Sequence, residues 1–232
     1  MDISDISGIR KPYNTRSNVF LEKDINVKNP FDLFDKWFQE ARSNPNIVEP
    51  NAMCLSTATR DGKPSARFML CKGYGKEGFQ FYTHYTSRKG QELEANPNAA
   101  LTFFWPVLSK SVRIEGPVEK LPPSYAEDYF KTRPYQSQVG ALCSNQSKVI
   151  ESRECLVAKA NQLKEKYKEG EVPKPESWGG FIVVPAVMEF WQGQTDRVHD
   201  RIKFRKLKEG EDVDNIITHP GEDNWIYERL QP

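Results

Sequence analysis

The sequence predicts a mainly β protein, an antiparallel and Greek-key-like barrel with helices at its periphery. Segments that alternate apolar and polar residues come in consecutive groups, separated by turn-forming Gly, Asp, Asn and Pro residues. Helical segments fall between these groups, but without the strict strand and helix alternation of a parallel doubly wound sheet. Roughly seven or eight short strands would close such a barrel and leave few exposed edges.

Length and composition limit the class of protein further. The 232 residues are 38% hydrophobic and 28% charged, which indicates one large domain or two small ones and excludes a disordered chain. Thirteen Phe, nine Tyr and five Trp supply the apolar surface of a substantial core. The net charge of +1 is too balanced for non-specific nucleic-acid binding, so no nucleic-acid partner is expected.

Neither a membrane span nor a secretory signal is expected. The longest apolar run, Phe181–Met188, is interrupted by Pro185 and is far shorter than the roughly 20 residues of a span. The N-terminal residues are acidic and lack an apolar segment, which predicts a cytoplasmic protein. The Cys and His residues lack ligand spacing, so no metal site and no disulfide scaffold are expected.

The first half of the chain is predicted to begin with a mobile arm and a docked helix. Residues 1–29 are polar and lack a period, which is typical of an arm. Asn29 and Pro30 predict a helix start, and Phe31, Phe34, Trp37, Phe38 and Ala41 share one face of that helix. A hairpin from Ala52 to Lys72, a strand over Phe79–Thr83, a helix over Ser87–Leu93 and strands over Ala99–Trp105 and Ser111–Glu119 follow.

The second half is predicted to contain three helices and then a group of strands. The helices lie between Pro122 and Pro134, over Gln136–Cys143 and over Ser152–Lys168. After a Pro-containing break at Val172–Pro175, strands are predicted over Gly180–Pro185, Met188–Gln192, Asp200–Lys206 and Trp225–Arg229.

A glycine motif in the first half of the chain is interpreted as a turn. Gly73–Gly78 matches the GxGxxG fingerprint of dinucleotide-binding folds, which requires a helix after it. The alternation from Phe79 onward predicts a strand instead, so these glycines are expected to close a hairpin.

Two pairs of cations are candidates for anion binding. Arg88 and Lys89 follow Ser87 at a helix start, where free backbone N–H groups favour a phosphate; the alternative is an ordinary capped surface helix. Arg67 and Lys72 fall within one predicted strand at an odd spacing, which places them on opposite faces. They therefore bind two different ligand groups, or a bulge intervenes, or they are charges at a strand edge.

Two further clusters lie in the second half. Tyr129 and Arg133 share a helix face, and Ser137 returns to it after Pro134, which suits a phosphate; the alternative is a Tyr ring packed over an Arg stem. If the chain is extended from Arg197 to Arg201, then Arg197, His199 and Arg201 project on one face. Such a face repels itself unless it binds an anion or an electron-rich ring.

Several spaced motifs carry a resemblance to a known family. They are Asn51–Met53, Asp61–Arg67, Ser87–Gly90, Val112–Gly116, Gln146–Ser147, Ser177–Gly180, Glu189–Gln192, Arg197–Arg201 and Arg229–Pro232. In this order, over nearly the whole chain from Asn29, they resemble the pyridoxine (pyridoxamine) 5′-phosphate oxidases, FMN enzymes of vitamin B6 metabolism. The resemblance implies an FMN-binding split β-barrel over residues 30–232, with a C-terminal region for dimerisation and substrate binding. It also implies a homodimer with two FMN sites at the subunit interface.

The resemblance also implies ligands and an activity. The implied FMN contacts are Arg67, Phe68, Met69, Leu70, Tyr82, Thr83, Arg88, Lys89, Gln146, Ser147, Trp191 and Arg201. The implied substrate contacts are Lys72, Tyr129, Arg133 and Ser137 at the phosphate, and Arg197, Val198 and His199 near the pyridine ring, with Arg197 and His199 catalytic. The implied reaction oxidises C4′ of pyridoxine or pyridoxamine 5′-phosphate to the aldehyde, with O2 as acceptor and H2O2 as product.

One departure and two alternatives accompany this interpretation. Ser111 stands where the family usually has a flavin-contacting Gln, so Ser111 is not expected to be a ligand. The alternatives are a split-barrel flavoprotein with another substrate and a non-catalytic protein that binds pyridoxal phosphate. Arg10 and Tyr13 of the arm align loosely with residues that close over the substrate in the family.

Overall fold

The computed structural model describes residues 7–9, 13 and 19–232, without the side chain of Asp24. The predicted mobile arm, residues 1–29, lies partly outside these residues and stays a prediction. The described chain forms five α-helices: α1 (Pro30–Ser43), α2 (Arg88–Ala95), α3 (Pro123–Thr132), α4 (Tyr135–Cys143) and α5 (Arg153–Lys166). Short 3-10 helices cover Glu22–Asp24 and Pro106–Leu108.

Strands provide most of the remaining regular structure. In chain order the strands of the described residues are β1 (Ala52–Ala58), β2 (Pro64–Leu70), β3 (Gly73–Gly75), β4 (Gly78–His84), β5 (Asn98–Trp105), β6 (Lys110–Lys120), β7 (Trp178–Val183), β8 (Val187–Gln192), β9 (Asp200–Lys206), β10 (Thr218–Pro220) and β11 (Trp225–Arg229). The chain divides into two compact units. Unit 1 contains the described residues up to Asn51 with Thr102–Ile114 and Ala186–Pro232, and unit 2 contains Ala52–Leu101 and Glu115–Pro185.

Unit 1 is built from α1 and a group of antiparallel strands. The Asn29 side chain accepts a hydrogen bond from the Phe31 N–H, which caps α1 as the sequence predicts. The predicted apolar face of α1 is buried: Phe34 lies 5.1 Å from Phe103 and Trp37 lies 5.3 Å from Phe190, measured between ring centroids. Strands β10, β11, β9 and β8 are neighbours in that order.

Unit 2 combines hairpins with the helices α2 to α5. Strands β1 and β2 pair antiparallel, and β4 pairs with β3 on one side and with β7 on the other. The β4 and β7 register places His84 opposite Trp178. Helices α3 and α4 pack their buried Phe130 and Val139 in one apolar cluster with Trp178. The start of β7 therefore packs against the buried residues of α3 and α4.

Most predicted elements are confirmed, with two differences among the strands. The glycine motif closes a hairpin as expected, since Gly75 pairs with Gly78 across β3 and β4. Strand β7 begins at Trp178 instead of Gly180, because two consecutive glycines at 179 and 180 show no side-chain alternation. The three-residue strand β10 was not predicted, because so short a segment has no periodicity to detect.

Gly90 allows α2 to lie close to the end of β4. A Cβ at Gly90 would overlap the backbone carbonyls of Tyr85 and His84, whereas a Cβ at the helical Gly140 would meet nothing within 4 Å. We expect Gly90→Ala to lower the free energy of unfolding by about 1–3 kcal/mol through overpacking. Gly140→Ala is the control, with an expected gain of up to about 1 kcal/mol from helix propensity. Urea denaturation of both variants tests this, and equal stabilities would contradict it.

Candidate functional site

A cavity of about 400 Å³ in unit 2 brings together the four residues predicted to bind a substrate phosphate. Lys72, Tyr129, Arg133 and Ser137 all line it, from the end of β2, from α3 and from the start of α4. The lining residues also include Met69, Leu70, Tyr82, Thr83 and Gln146 from the set predicted to contact FMN. Two of the described lining residues are cations and none is acidic, so the cavity attracts an anion.

Arg133 is the most informative residue of this cavity. Its Nη1 atom is buried and has no hydrogen-bond partner among the described residues. Its guanidinium lies over the Trp178 ring, 4.9 Å from the centroid, and burial lowers its pKa. A buried donor without a partner costs free energy. An anion bound in the cavity would remove that cost, so the geometry favours a phosphate over the alternative of a Tyr ring packed on an Arg stem.

A polar cluster links Thr83 and Gln146, which line the cavity, with Lys89. The Gln146 Oε1 atom accepts hydrogen bonds from Thr83 Oγ1 at 2.8 Å and from Lys89 Nζ at 3.1 Å. Lys89 is buried, and its pKa is lowered by that burial and by the nearby Arg67. A buried ammonium whose pKa is lowered in this way gains from a bound anion.

Three cations of unit 2 share one buried carboxylate, that of Glu92. Arg88 Nε donates to Glu92 Oε1 at 2.8 Å, and Arg67 Nη2 lies 3.4 Å from Oε2. Lys89 adds a third positive charge beside this carboxylate. Three cations against one acid leave an excess of positive charge, which suits a second phosphate. Glu92 was not among the predicted site residues, although its i,i+4 spacing from Arg88 is a usable signal.

Hydrogen bonds keep Glu92 ionised in spite of its burial. It is only 5% exposed, and burial alone would raise its pKa. Donation from Ser65, Thr57 and Arg88 outweighs burial and brings its pKa to about 2. Arg67 donates to the same two hydroxyl groups, at 2.6 Å to Ser65 and 2.5 Å to Thr57.

The two cations predicted in one strand belong to different clusters. Arg67 lies in β2 within the Glu92 cluster, and Lys72 lies beyond the end of β2 at the cavity. The prediction that they bind different groups is therefore compatible with the structure, and no bulge is needed. Phe68, between them, is 81% exposed, and Ser147 adopts a left-handed backbone with φ 71° beyond α4.

A second cavity, of about 430 Å³, lies within unit 1 and contains Trp191 and Arg201. These two residues face each other across β8 and β9. Glu189 bridges two arginines beside them, with 2.7 Å from Oε1 to Arg201 Nε and 2.7 Å from Oε2 to Arg113 Nη2. The hydrogen bond to Glu189 raises the pKa of Arg201. Ser111, left out of the predicted ligands, also lines this cavity.

The extended geometry assumed for Arg197–Arg201 is wrong. Strand β9 begins only at Asp200, and Arg197 lies in the preceding loop with a left-handed φ of 68°. His199 is fixed differently, because its Nδ1 atom accepts a hydrogen bond from the Gln194 N–H at 3.0 Å. The neutral imidazole therefore carries its proton on Nε2. Tertiary hydrogen bonds determine the conformation of this loop, and the periodicity of the sequence does not predict such bonds.

Tyr13 lies against the residues of this loop. Its ring centroid is 5.7 Å from Trp191 and 5.3 Å from His199, and the Arg197 guanidinium lies 5.7 Å from it. Arg10, the other arm residue considered above, lies outside the described residues. Val198 is 65% exposed and lines a neighbouring cavity with His199.

Family models match most of the chain. A model described as "Pyridoxamine 5'-phosphate oxidase" matches residues 39–167, and one described as "Pyridoxine 5'-phosphate oxidase C-terminal dimerisation region" matches residues 178–232. The chain belongs to the pyridoxamine 5′-phosphate oxidase family. Two relatives at 53% identity support this assignment. "Pyridoxine/pyridoxamine 5'-phosphate oxidase" of Bombyx mori matches 98% of this chain and 90% of its own length, and "Pyridoxine-5'-phosphate oxidase" of Bos taurus matches 98% and 88%.

Two solved structures share the fold of this chain. PhzG from Burkholderia lata, solved with tetrahydrophenazine-1-carboxylic acid, aligns with a TM-score of 0.79 at 28% identity over 93% of this chain and 98% of its own. A pyridoxamine 5′-phosphate oxidase-related, FMN binding protein of Nostoc punctiforme aligns with a TM-score of 0.65 at 11% identity, over 90% and 100%. The predicted fold class, a mainly β split barrel with peripheral helices, is confirmed. No helix of the described residues is long and apolar enough to cross a membrane.

The depressed pKa of Glu92 makes a pH-dependent contribution to stability. Because its folded pKa of about 2 lies below the ordinary 4.5, the contribution is present above pH 4.5 and is lost as the pH falls toward 2. We expect Glu92→Gln to lower the free energy of unfolding by up to about 3 kcal/mol at pH 7. The exposed Glu94 of the same helix, as Glu94→Gln, is the control. Urea denaturation of the flavin-free protein from pH 7 to pH 3 tests this, and a pH-independent difference would contradict it.

Proposed function

We propose that this protein is a flavin-dependent oxidase that converts pyridoxine 5′-phosphate or pyridoxamine 5′-phosphate to pyridoxal 5′-phosphate. The observation that carries the proposal is the buried, unpartnered Nη1 of Arg133 in a cavity that also contains Lys72, Tyr129 and Ser137. Relatives named for this activity match 98% of the chain. Oxidation of the alcohol releases two electrons and two protons, which reduce O2 to H2O2, and the amine substrate also takes up water and releases ammonia.

The residues of the chain fit FMN as the flavin. Three cations share the single carboxylate of Glu92, and this excess of positive charge supports a site for the FMN phosphate at Arg67, Arg88 and Lys89. We propose that Trp191 and Arg201, with the remaining implied ligands, hold the rest of the flavin. The Nostoc punctiforme protein of the same fold is described as FMN binding, which supports FMN as the flavin. Bound FMN would accept the hydride from C4′ and pass the electrons to O2.

The protein's own residues would bind and orient the substrate. We propose that Lys72, Arg133 and Ser137 hold the substrate phosphate, so that binding free energy is used to orient C4′. The planar guanidinium of Arg197 would stack on the pyridine ring, which a lysine ammonium would not reproduce. His199 would donate a hydrogen bond from Nε2, since its Nδ1 is occupied by the Gln194 N–H. Tyr13, against both, would cover the ring.

We also propose a homodimer, because the chain contains the family's C-terminal dimerisation region. Sedimentation at decreasing concentration tests this, and a monomer with full flavin occupancy would contradict it. A cytoplasmic location stays a prediction from the sequence.

The spectrum of the purified protein tests the proposed function directly. We expect a yellow protein with a flavin spectrum that bleaches when pyridoxine 5′-phosphate is added without oxygen. Readmission of air should restore the colour and release one H2O2 for each aldehyde formed. A protein that binds FMN but does not bleach would favour another substrate. A protein that cannot be loaded with FMN would contradict the proposal and favour a non-catalytic binding protein.

The two proposed phosphate sites should separate by mutation. Arg88→Ala removes a charge-assisted contact, so FMN affinity should fall about tenfold or more while substrate KM at saturating FMN changes little. Arg133→Ala should raise substrate KM by a similar factor and leave FMN affinity unchanged. Fluorescence titration of FMN and steady-state kinetics measure the two effects. If both variants weakened the same ligand, the assignment of the two sites would be wrong.

A further inference from the structure

We propose that Trp178 is a positioning residue that sets the orientation of Arg133 and thereby the preference for phosphorylated substrates. This inference rests on the proposed function, since it concerns the same phosphate site. Trp178 belongs to the Ser177–Gly180 motif, but it is neither a predicted ligand nor part of the proposed mechanism. It is the first residue of β7, is 4% exposed, and lines the unit 2 cavity.

The Trp178 ring contacts two residues of the proposed phosphate site, Arg133 and Tyr129. The Arg133 guanidinium carbon lies over the ring, 4.9 Å from its centroid. The Tyr129 ring is stacked nearly parallel to it, with 6.1 Å between centroids and 19° between planes. Tyr82 stacks at 5.4 Å and 13°, and Phe130 meets the ring edge at 5.3 Å. One buried indole thus supports both Tyr129 and Arg133.

Support by an aromatic face suits a guanidinium that must bind an anion. A carboxylate partner would accept hydrogen bonds from the edge of the guanidinium and would occupy the N–H groups that a phosphate needs. An aromatic ring attracts the cation through its face and leaves the five N–H donors, which lie in the guanidinium plane, available. Arg133 fits this arrangement, because its Nη1 is buried without a partner and no acidic residue of the described chain lines the cavity.

The position of Arg133 in the chain explains why such support is needed. It caps the C-terminus of α3, where its backbone N–H bonds to the Phe130 carbonyl and its backbone turns to an extended conformation. Because its backbone is extended, the rotamer preferences of a helical residue no longer apply to its side chain. Trp178, fixed by the pairing of β7 with β4, supplies the missing restriction.

The test compares substrates with and without a phosphate. For each variant the kcat/KM for pyridoxine 5′-phosphate is divided by that for pyridoxine, which gives a phosphate preference. Trp178→Leu should reduce this preference about tenfold, mainly through the KM of the phosphorylated substrate, as expected for loss of a desolvated cation and ring contact. Trp178→Phe, which keeps a smaller ring, should reduce it less. Affinity for FMN should stay within about twofold of wild type.

Trp225→Leu is the matched control. Trp225 is also a buried Trp, 2% exposed, with a cation over its ring, since Lys206 Nζ lies 4.2 Å from the centroid. It belongs to unit 1, whereas the residues of the phosphate site belong to unit 2. Its variant should lose stability without a change in phosphate preference. If Trp178→Leu lowered kcat/KM for both substrates by the same factor, its role would be structural and the inference would be wrong.

A double-mutant cycle tests whether Trp178 acts through Arg133. On an Arg133→Ala background, Trp178→Phe should leave the phosphate preference unchanged, whereas independent action would reduce it by the same factor as in wild type. Calorimetric titration of the holoenzyme with 4-deoxypyridoxine 5′-phosphate and with 4-deoxypyridoxine, which have no oxidisable group at C4′, gives the same comparison from binding alone. If Trp178→Leu does not fold, Trp178→Phe and this cycle still decide the question.

The same experiments separate this inference from the proposed function. Wild type without phosphate preference, or Arg133→Ala without an effect on it, would contradict the proposed phosphate site. A wild-type preference that Arg133→Ala reduces and both Trp178 variants leave intact would overturn only the role of Trp178.

Discussion

Positive charge that is only partly neutralised within the protein is the constraint on which the candidate sites depend. Glu92 forms ion pairs with Arg67 and Arg88, and Lys89 lies beside them. Glu189 forms ion pairs with both Arg113 and Arg201. At Arg133 the described residues supply no carboxylate partner, and the guanidinium lies instead over the rings of Trp178 and Phe130. Buried or half-buried cations are costly unless they are paired. A fold that retains such an excess gains stability when anions bind, so ligand affinity and folding stability are coupled.

The carboxylates of Glu92 and Glu189 and the ring of Trp178 stabilise the neighbouring cations in different ways. A carboxylate such as that of Glu92 lowers repulsion between neighbouring guanidinium groups and fixes them through directed hydrogen bonds. It also competes with a bound phosphate for the same donors. An aromatic ring fixes a cation without that competition but supplies less electrostatic compensation. The cluster that surrounds Glu92 therefore suits an anion bound by several cations. The Arg133 site suits an anion that must be bound and released in each turnover.

Sequence patterns were sufficient for elements whose local chemistry determines them. The Asn29 cap, the apolar face of α1 and the glycine hairpin at Gly73–Gly78 each follow from residues close together in the chain. Tyr129, Arg133 and Ser137 were grouped from the sequence because they lie within nine positions of one another, whereas Lys72 was added to them only through the family resemblance. The roles of Glu92 and Trp178 depend on partners brought close by tertiary structure, Ser65 for one and Arg133 for the other. A single sequence contains no local signal for such pairs.

The loop between β8 and β9 shows why the remaining geometry could not be predicted. Alternation along an extended chain would place the side chains of Arg197, His199 and Arg201 on one face, but the left-handed backbone at Arg197 breaks that alternation. Such a conformation costs of order 1 kcal/mol or more for a residue with a side chain, so surrounding contacts must impose it. The buried Asp200 that ends the loop provides them, since it accepts hydrogen bonds from Gln194 Nε2 at 2.7 Å and Arg229 Nη1 at 2.7 Å.

This anchoring has a consequence for chemistry at His199. The bond from the Gln194 N–H to Nδ1 comes from the backbone, but the Gln194 side chain also donates to Asp200, so this bond depends on that side chain through the shape of the loop. The loop shape in turn depends on Asp200, which also accepts the Phe20 N–H at 3.0 Å and is paired with Arg229 near the C-terminus. The tautomer of His199 is thus determined by residues from three distant parts of the sequence. Strain at Arg197 is retained because several hydrogen bonds together outweigh it, which keeps the loop in one geometry without a continuous strand to support it.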